Sequence, residues 1–302
     1  MKTLEILFFI LFLGQLPVPL FGQERPPFID MHMHTGAPLD LPAGAPAPCL
    51  PQPCNGKGKA TATSTENLEK TLKAMDRYNI VKGFLSGLDL DELRKWEEAA
   101  PGRFILSPFI HDPEKADPDH LRKELEAKRL AGIGEIGAQL AGIAPNDPRL
   151  DPYFTLAEEF DVPVLIHTEG IGPPLSSFRS AAGSPLLLEE VMVNHPNLRI
   201  FVENSGYPFL DEMIAVMYQY PQLYGDVSTI TWIIPRSAFY DYLKRLMEAG
   251  LGKRLMFGSD QMRWPEMIGE AIEAIEEADF LTDEQKRDIL YNNAARFLQM
   301  DM

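Results

Sequence analysis

The sequence predicts an α/β protein of one domain, folded as a closed (β/α)8 barrel. Three observations carry this: eight short apolar runs, helix-like stretches between them, and no glycine-rich phosphate loop after the first run. The runs lie at 28–32, 80–85, 104–110, 131–136, 162–167, 198–203, 222–227 and 254–258. Most are continuously apolar rather than alternating, as parallel strands covered on both faces require. An open doubly wound sheet is the alternative, and the missing phosphate loop argues against it.

The intervening stretches read as helices. Leu68, Leu72, Met75 and Tyr78 recur at helical spacing, with Thr63 and Glu66 placed as a capping box. Pro185 after Ser184 opens a helix that runs to Met192. Residues 209–218, 239–247 and 266–277 supply three more, and Thr282 with Gln285 begins a last one through Ile289, Leu290 and Phe297. The connection 36–63 has no period and is rich in Gly, Ala, Pro and Thr. It follows the first strand, so a barrel would hang it over the C-terminal rim, as a lid or as a plain insertion.

The N-terminus reads as an export signal spanning 1–22, with Lys2 before the apolar 7–13 and Gly14, Pro17 and Pro19 breaking the run. An uncleaved anchor is the alternative; the apolar run is short for a bilayer. The mature chain, 23–302, is therefore expected in the periplasm or outside the cell, without a stable membrane span. Its two cysteines, Cys49 and Cys54, then suit a local disulfide pinning the 36–63 connection.

The 302 residues are 45% hydrophobic, enough for one large core. Twenty-eight basic against 44 acidic residues leave a net charge of −16, and no basic cluster exists to attract nucleic acid or anionic lipid. A small-molecule partner is the expectation that remains.

The chemistry concentrates at strand ends. His32 and His34 lie two apart at the end of the first run, so an extended strand points both imidazoles to one face. His167 ends the fifth run, and Asp260 follows the eighth. Three imidazoles and a carboxylate at the tips of strands one, five and eight suit one divalent ion, zinc or a similar first-row metal, with a position open for water. Zinc lowers the pKa of such water by about eight units. Asp260 is the carboxylate that would accept and return the proton. Taken singly, each of these residues could equally be a hydrogen-bonded strand end.

These pieces carry a resemblance. Residues 29–34 (IDMHMH), 132–137 (GIGEIG), 164–167 (VLIH), 257–260 (FGSD) and the closing 292–297 (NNAARF) resemble, in order, the amidohydrolase superfamily. The branch is that of aminocarboxymuconate-semialdehyde decarboxylase and related metal-dependent hydrolases. The resemblance implies a distorted (β/α)8 barrel with metal at its mouth, His32, His34, His167 and Asp260 as ligands, and Asp260 as proton shuttle. Glu135, ending the fourth run, stands where relatives place a bridging carboxylate, a carboxylated lysine or no ligand.

One position departs from that pattern. Many relatives carry a histidine at the end of the sixth strand, where this chain has Asn204. An amide can donate to a developing oxyanion but cannot take a proton. Asn204 is thus expected as an electrophilic helper, a second metal is disfavoured, and Glu203 should point to the opposite face. His111, Arg179 and Arg263, in loops after strands three, five and eight, are candidate substrate contacts. Asp226, ending strand seven, is placed to contact substrate or to brace a ligand. His120 and His195 are expected at surface and stability positions. The reading is a metal-dependent hydrolase of a small amide, ester or lactone. The alternatives are a non-oxidative decarboxylase of an unsaturated acid and a non-catalytic ligand-binding barrel.

Overall fold

A computed structural model describes residues 25–36, 42–51 and 56–300. The expected leader 1–22 and Cys54 lie outside the described residues. Cys49 is disulfide-bonded.

Eight parallel strands appear at the eight apolar runs: β1 (Phe28–His34), β2 (Ile80–Gly87), β3 (Phe104–Pro108), β4 (Ile133–Ile136), β5 (Val164–Ile166), β6 (Ile200–Val202), β7 (Leu223–Val227) and β8 (Leu255–Phe257). They form ladders β1-β2-β3 and β4-β5-β6-β7-β8. Two seams close the ring. Between β3 and β4, the Ala131 amide donates to the Leu106 carbonyl at 3.0 Å and Ile110 to Glu135 at 2.8 Å. Beyond β8, the Asp260 amide donates to the His32 carbonyl at 2.7 Å. The ring is a distorted (β/α)8 barrel, closed where regular ladder pairing gives out.

A helix follows each strand: Ser64–Tyr78, Leu90–Ala99, Pro118–Glu126, Asp151–Glu159, Glu189–Asn194, Leu210–Gln219, Arg236–Glu248 and Met267–Glu276. Two caps differ from expectation. Thr63 accepts from the Glu66 amide, but the Glu66 carboxylate reaches back to the Ala62 amide at 2.7 Å, so the box is not reciprocal. Pro185 opens a 3-10 turn (Pro185–Leu188), and the α-helix starts only at Glu189. The capping box at Thr282 and Gln285 is reciprocal.

The core lies in two layers. Between strands and helices is a large apolar layer that includes Phe28, Met33, Trp96 and Phe239. Inside the ring, Ile29, Met31, Phe84, Leu165, Phe201 and Met256 fill the barrel, with Phe297 packed against them. The barrel is therefore plugged below, and only its upper mouth can hold a ligand. Among the described residues no helix is long and apolar enough to cross a membrane.

Candidate metal centre

In β1 the inward set is Ile29 and Met31 low in the barrel, whereas Met33 belongs to the outer layer. The register against β2 shifts between Asp30 and Met33, and this irregularity changes the inward phase. His32 and His34 consequently face the barrel mouth, both buried. Gly258 lets β8 approach them: a Cβ there would lie 2.7 Å from the His32 Cβ. Asp260 then leaves β8 with φ 45°, a left-handed conformation costly for a non-glycine residue.

Four donor atoms meet at this point. His32 Nε2 lies 3.1 Å from His34 Nε2 and 3.4 Å from Glu135 Oε2. His34 Nε2 lies 3.2 Å from Glu135 Oε2 and 3.1 Å from Asp260 Oδ1. His32 Nε2 to Asp260 Oδ1 is 3.8 Å. Ligand atoms about 2.0–2.1 Å from a tetrahedral ion lie roughly 3.3 Å from one another. The donor set therefore fits a zinc-like ion in spacing and in chemistry. Asp260 Oδ1 is also buried without a hydrogen-bond partner, an atom a cation would satisfy.

His167 stands in a different group. Its Nδ1 lies 3.2 Å from Glu135 Oε1 and 2.5 Å from Glu203 Oε2. Neither ring nitrogen makes a directed hydrogen bond, nor does Glu203 Oε2. Of three potential cation groups among the described residues, two share Glu135, one through each oxygen, His32–His34–Glu135 and Glu135–His167–Glu203, and the third, His32–Glu203–Asp260, lies between them. The four residues His32, His34, His167 and Asp260 do not form one tight set; Glu135 takes the place expected of His167. Glu135 reaches both groups because Gly134 turns the chain at φ 107°, where a Cβ would stand 2.2 Å from the Leu165 carbonyl oxygen.

The expectation for Glu203 and Asn204 is corrected. Strand alternation should have turned Glu203 away, but β6 ends at Val202, and Asn204 and Ser205 both take left-handed conformations. That turn aims Glu203 into the mouth and buries Asn204. The Asn204 amide nitrogen donates to Glu169 at 2.7 Å, and its oxygen accepts from Ser228 Oγ and the Ile230 amide at 3.1 Å. The same nitrogen also donates to Glu203 Oε1 at 3.4 Å, so Asn204 holds these two carboxylates and has no donor left aimed at a substrate oxyanion. Glu169, absent from the expected set, lines the mouth two residues beyond His167.

Asp226 braces His32, its Oδ2 lying 3.0 Å from Nδ1, while its Oδ1 accepts from the Asn204 amide at 2.8 Å and from Ser228 Oγ at 2.7 Å. This fixes Nε2 as the atom presented to an ion. Asp226→Ala is expected to weaken zinc binding by about 10–100-fold with the fold retained, as metal titration against a competing chelator would measure. Unchanged affinity would remove Asp226 from the site.

The buried charged groups shift one another strongly. Burial alone would lower His34, but Asp260 and Glu135 override it and hold its imidazole at about 9. His32 and His167 are likewise held well above the ordinary range, against burial, by the surrounding carboxylates. Burial and then the Glu203 charge push Glu169 well up. Glu203 rises to about 7, with burial the main cause, His167 opposing it and Glu135 adding to it. Glu135 goes the other way: burial is outweighed by the imidazoles of His167, His32 and His34 that surround it.

Above the cluster is a cavity of about 260 Å³. His34, Glu135, His167, Glu169, Glu203 and Asp260 face it from below, with Thr229 beside them. Its walls include Leu140, Ile171, Pro173, Ile233, Met262 and Trp264, and the 36–63 connection adds Pro46, Pro48, Cys49 and Leu50. That connection sits over the mouth through Leu50 N to Ile233 O at 2.7 Å and Trp264 Nε1 to Ala45 O at 2.9 Å.

The three expected substrate contacts are absent from this lining. Arg179 turns back to the carbonyls of Ser176 and Phe178, at 2.8 and 2.9 Å. Arg263 donates to the Thr61 carbonyl. His111 stacks on Phe109, ring centroids 6.4 Å apart. His195 sits between Asp151 and Glu158, at 3.1 and 3.3 Å, and His120 is half-exposed.

The model of the family described as amidohydrolase matches residues 29–300. The chain belongs to the amidohydrolase family. Comparison of this amidohydrolase-family chain with curated proteins gave no match. Its fold is similar to an uncharacterized TIM-barrel protein from Bordetella bronchiseptica (18% identity, 80% of this chain and 86% of that one, TM-score 0.62). It is also similar to a probable 2-pyrone-4,6-dicarboxylic acid hydrolase from Acinetobacter baumannii (14%, 90% and 99%, TM-score 0.61). A third similar structure is 5-carboxyvanillate decarboxylase from Sphingomonas paucimobilis (18%, 76% and 82%, TM-score 0.54).

Proposed function

We propose that this amidohydrolase-family chain is a metal-dependent hydrolase of a small amide, ester or lactone, exported by its 1–22 segment. The observation that carries the reading is Asp260 Oδ1: a buried carboxylate oxygen without a hydrogen bond, 3.1 Å from His34 Nε2 and lining the cavity. A divalent ion held by His32, His34, Glu135 and Asp260, zinc being the natural choice, would polarise a carbonyl and acidify water.

The side chains divide the remaining work. Thr229 Oγ1 donates to Asp260 Oδ2, so the other oxygen is the one turned to the cavity. From there Asp260 can take a proton from the attacking water and hand it to the leaving nitrogen or oxygen. Asp226 and Ser228, 3.0 and 3.1 Å from His32 Nδ1, hold that ring in place. The 36–63 connection and Trp264 restrict solvent above the bond to be cleaved.

The test is product analysis of the zinc-loaded protein on a panel of esters, lactones, amides and unsaturated carboxylic acids. Hydrolysis gives two cleavage fragments, or a ring-opened acid, with no gas. Release of carbon dioxide from the acids, with the esters, lactones and amides untouched, would replace the hydrolase by a lyase.

A further inference from the structure

Trp232 does not line the cavity, yet it bonds the residue next to Asp260. The peptide that enters Asp260 joins the Ser259 carbonyl to the Asp260 amide, and both of these groups are held. Trp232 Nε1 donates to the Ser259 carbonyl at 2.8 Å, and the Asp260 amide donates to the His32 carbonyl at 2.7 Å. One unit earlier, the Ser259 amide donates to Asp30 Oδ1 at 2.8 Å. Asp260 has φ 45°, and a non-glycine residue stays there only where its surroundings fix it. Trp232 is the side chain that fixes the carbonyl side of that peptide.

The same short helix, Ile230–Ile233, also reaches the carboxylate. Thr229, just before it, donates through Oγ1 to Asp260 Oδ2. The Trp232 amide donates back to the Thr229 carbonyl at 3.0 Å, so indole and hydroxyl sit on one turn. A single element thus holds Asp260 at its backbone and at Oδ2, which leaves Oδ1 3.1 Å from His34 Nε2. The overlying connection backs this turn. The Leu50 amide donates to the Ile233 carbonyl at 2.7 Å, and the Trp232 ring lies 6.5 Å from that of Trp264, whose Nε1 donates to Ala45. Ala47, Ala60 and Met267 complete the apolar cluster around the two indoles.

We propose that Trp232 is a positioning residue for Asp260: its indole N–H sets the plane of the peptide entering Asp260, and thereby the direction of Oδ1. A displacement of about 1 Å at a reacting group can cost roughly 10²-fold, so a hold on this peptide has a large effect at the site. The role rests on the metal centre of the hydrolase reading, but it is tested by metal binding rather than turnover. Trp232→Phe keeps an aromatic ring against Trp264 and removes the donor. Trp232→Gln keeps a donor of similar reach and removes the ring.

Zinc affinity of the full chain is measured by competition with a chelator, with folding checked by circular dichroism. Trp232→Phe is expected to weaken zinc binding about tenfold, as for loss of a group that orients a ligand, and Trp232→Gln by less. With cobalt(II) in place of zinc, the visible absorption of Trp232→Phe should shift, because an oxygen donor has moved. In an Asp260→Ala background the Trp232→Phe loss should fall below about twofold, since the residue acts through Asp260. Equal loss in both backgrounds overturns the proposal, as do unchanged zinc affinity and cobalt absorption in Trp232→Phe. A greater loss in Trp232→Gln than in Trp232→Phe also overturns it, because packing would then be the role. If the unaltered chain binds no zinc, the metal centre falls and the proposal with it. If the expected pattern appears while no ester, lactone or amide is cleaved, the role of Trp232 stands and the hydrolase reading falls.

Discussion

Asp260→Asn is expected to lower kcat by about 10²–10⁴-fold on any substrate that the panel yields, the range for loss of a positioned general base. The substitution keeps the shape and an oxygen able to accept from Thr229. It removes the capacity to take a proton. His32, His34 and Glu135 remain as donors, with Glu135 Oε2 3.2 Å from His34 Nε2, so metal content measured on the variant should fall less than kcat does. The second signature is that KM moves little. A kcat within threefold of the unaltered enzyme, with the metal still present, would show that another group carries the proton. Glu203 and Glu169, both lining the same cavity, would be the next to substitute.

Much of the fold was legible because its strands are buried on both faces. Ile29, Phe84, Leu165, Phe201 and Met256 point inward while Phe28, Leu85, Val164 and Val202 fill the outer layer, so apolar runs stand out without alternation. The His32–His34 pair was also legible, although the simple strand picture was incomplete. The pair faces the mouth because β1 shifts register after Asp30, and no residue in the run announces that shift.

Glu203 shows where periodicity stops helping. Alternation holds only while the backbone stays extended, and two consecutive left-handed residues, Asn204 and Ser205, redirect the chain just after Val202. Neither is glycine, so the turn left little trace in the sequence. Glu169 did leave one: His167-x-Glu169 repeats the spacing of His32-x-His34, two chemical groups on alternate positions at a strand end. The loop arginines were illegible for a different reason. Their direction depends on backbone carbonyls, those of Ser176, Phe178 and Thr61, that only the folded loops bring within reach.

The division of the histidines into two groups leads to the other large effect. His34→Ala removes a donor that lies 3.1 Å from His32 Nε2 and from Asp260 Oδ1 and 3.2 Å from Glu135 Oε2, the other three members of the set. Loss of the residue that merely orients a ligand costs about 10–100-fold in metal affinity, so loss of the ligand itself is expected to cost more than 100-fold. His167→Ala should behave differently. His167 meets Glu135 through Oε1, the oxygen turned away from His32 and His34, so a first equivalent of zinc should still bind tightly. Acidity adds an independent check. In the metal-free chain His34 keeps its proton up to about 9, and a cation must displace it. Apparent affinity should therefore fall by about tenfold per pH unit for each proton displaced, His32 giving up one as well, and the dependence should become shallower in His34→Ala. Calorimetric titration of the metal-free variants across pH measures both. Equal loss of the first equivalent in His34→Ala and His167→Ala would mean that the two imidazoles serve one ion, and that binding draws together donors which the metal-free geometry holds apart.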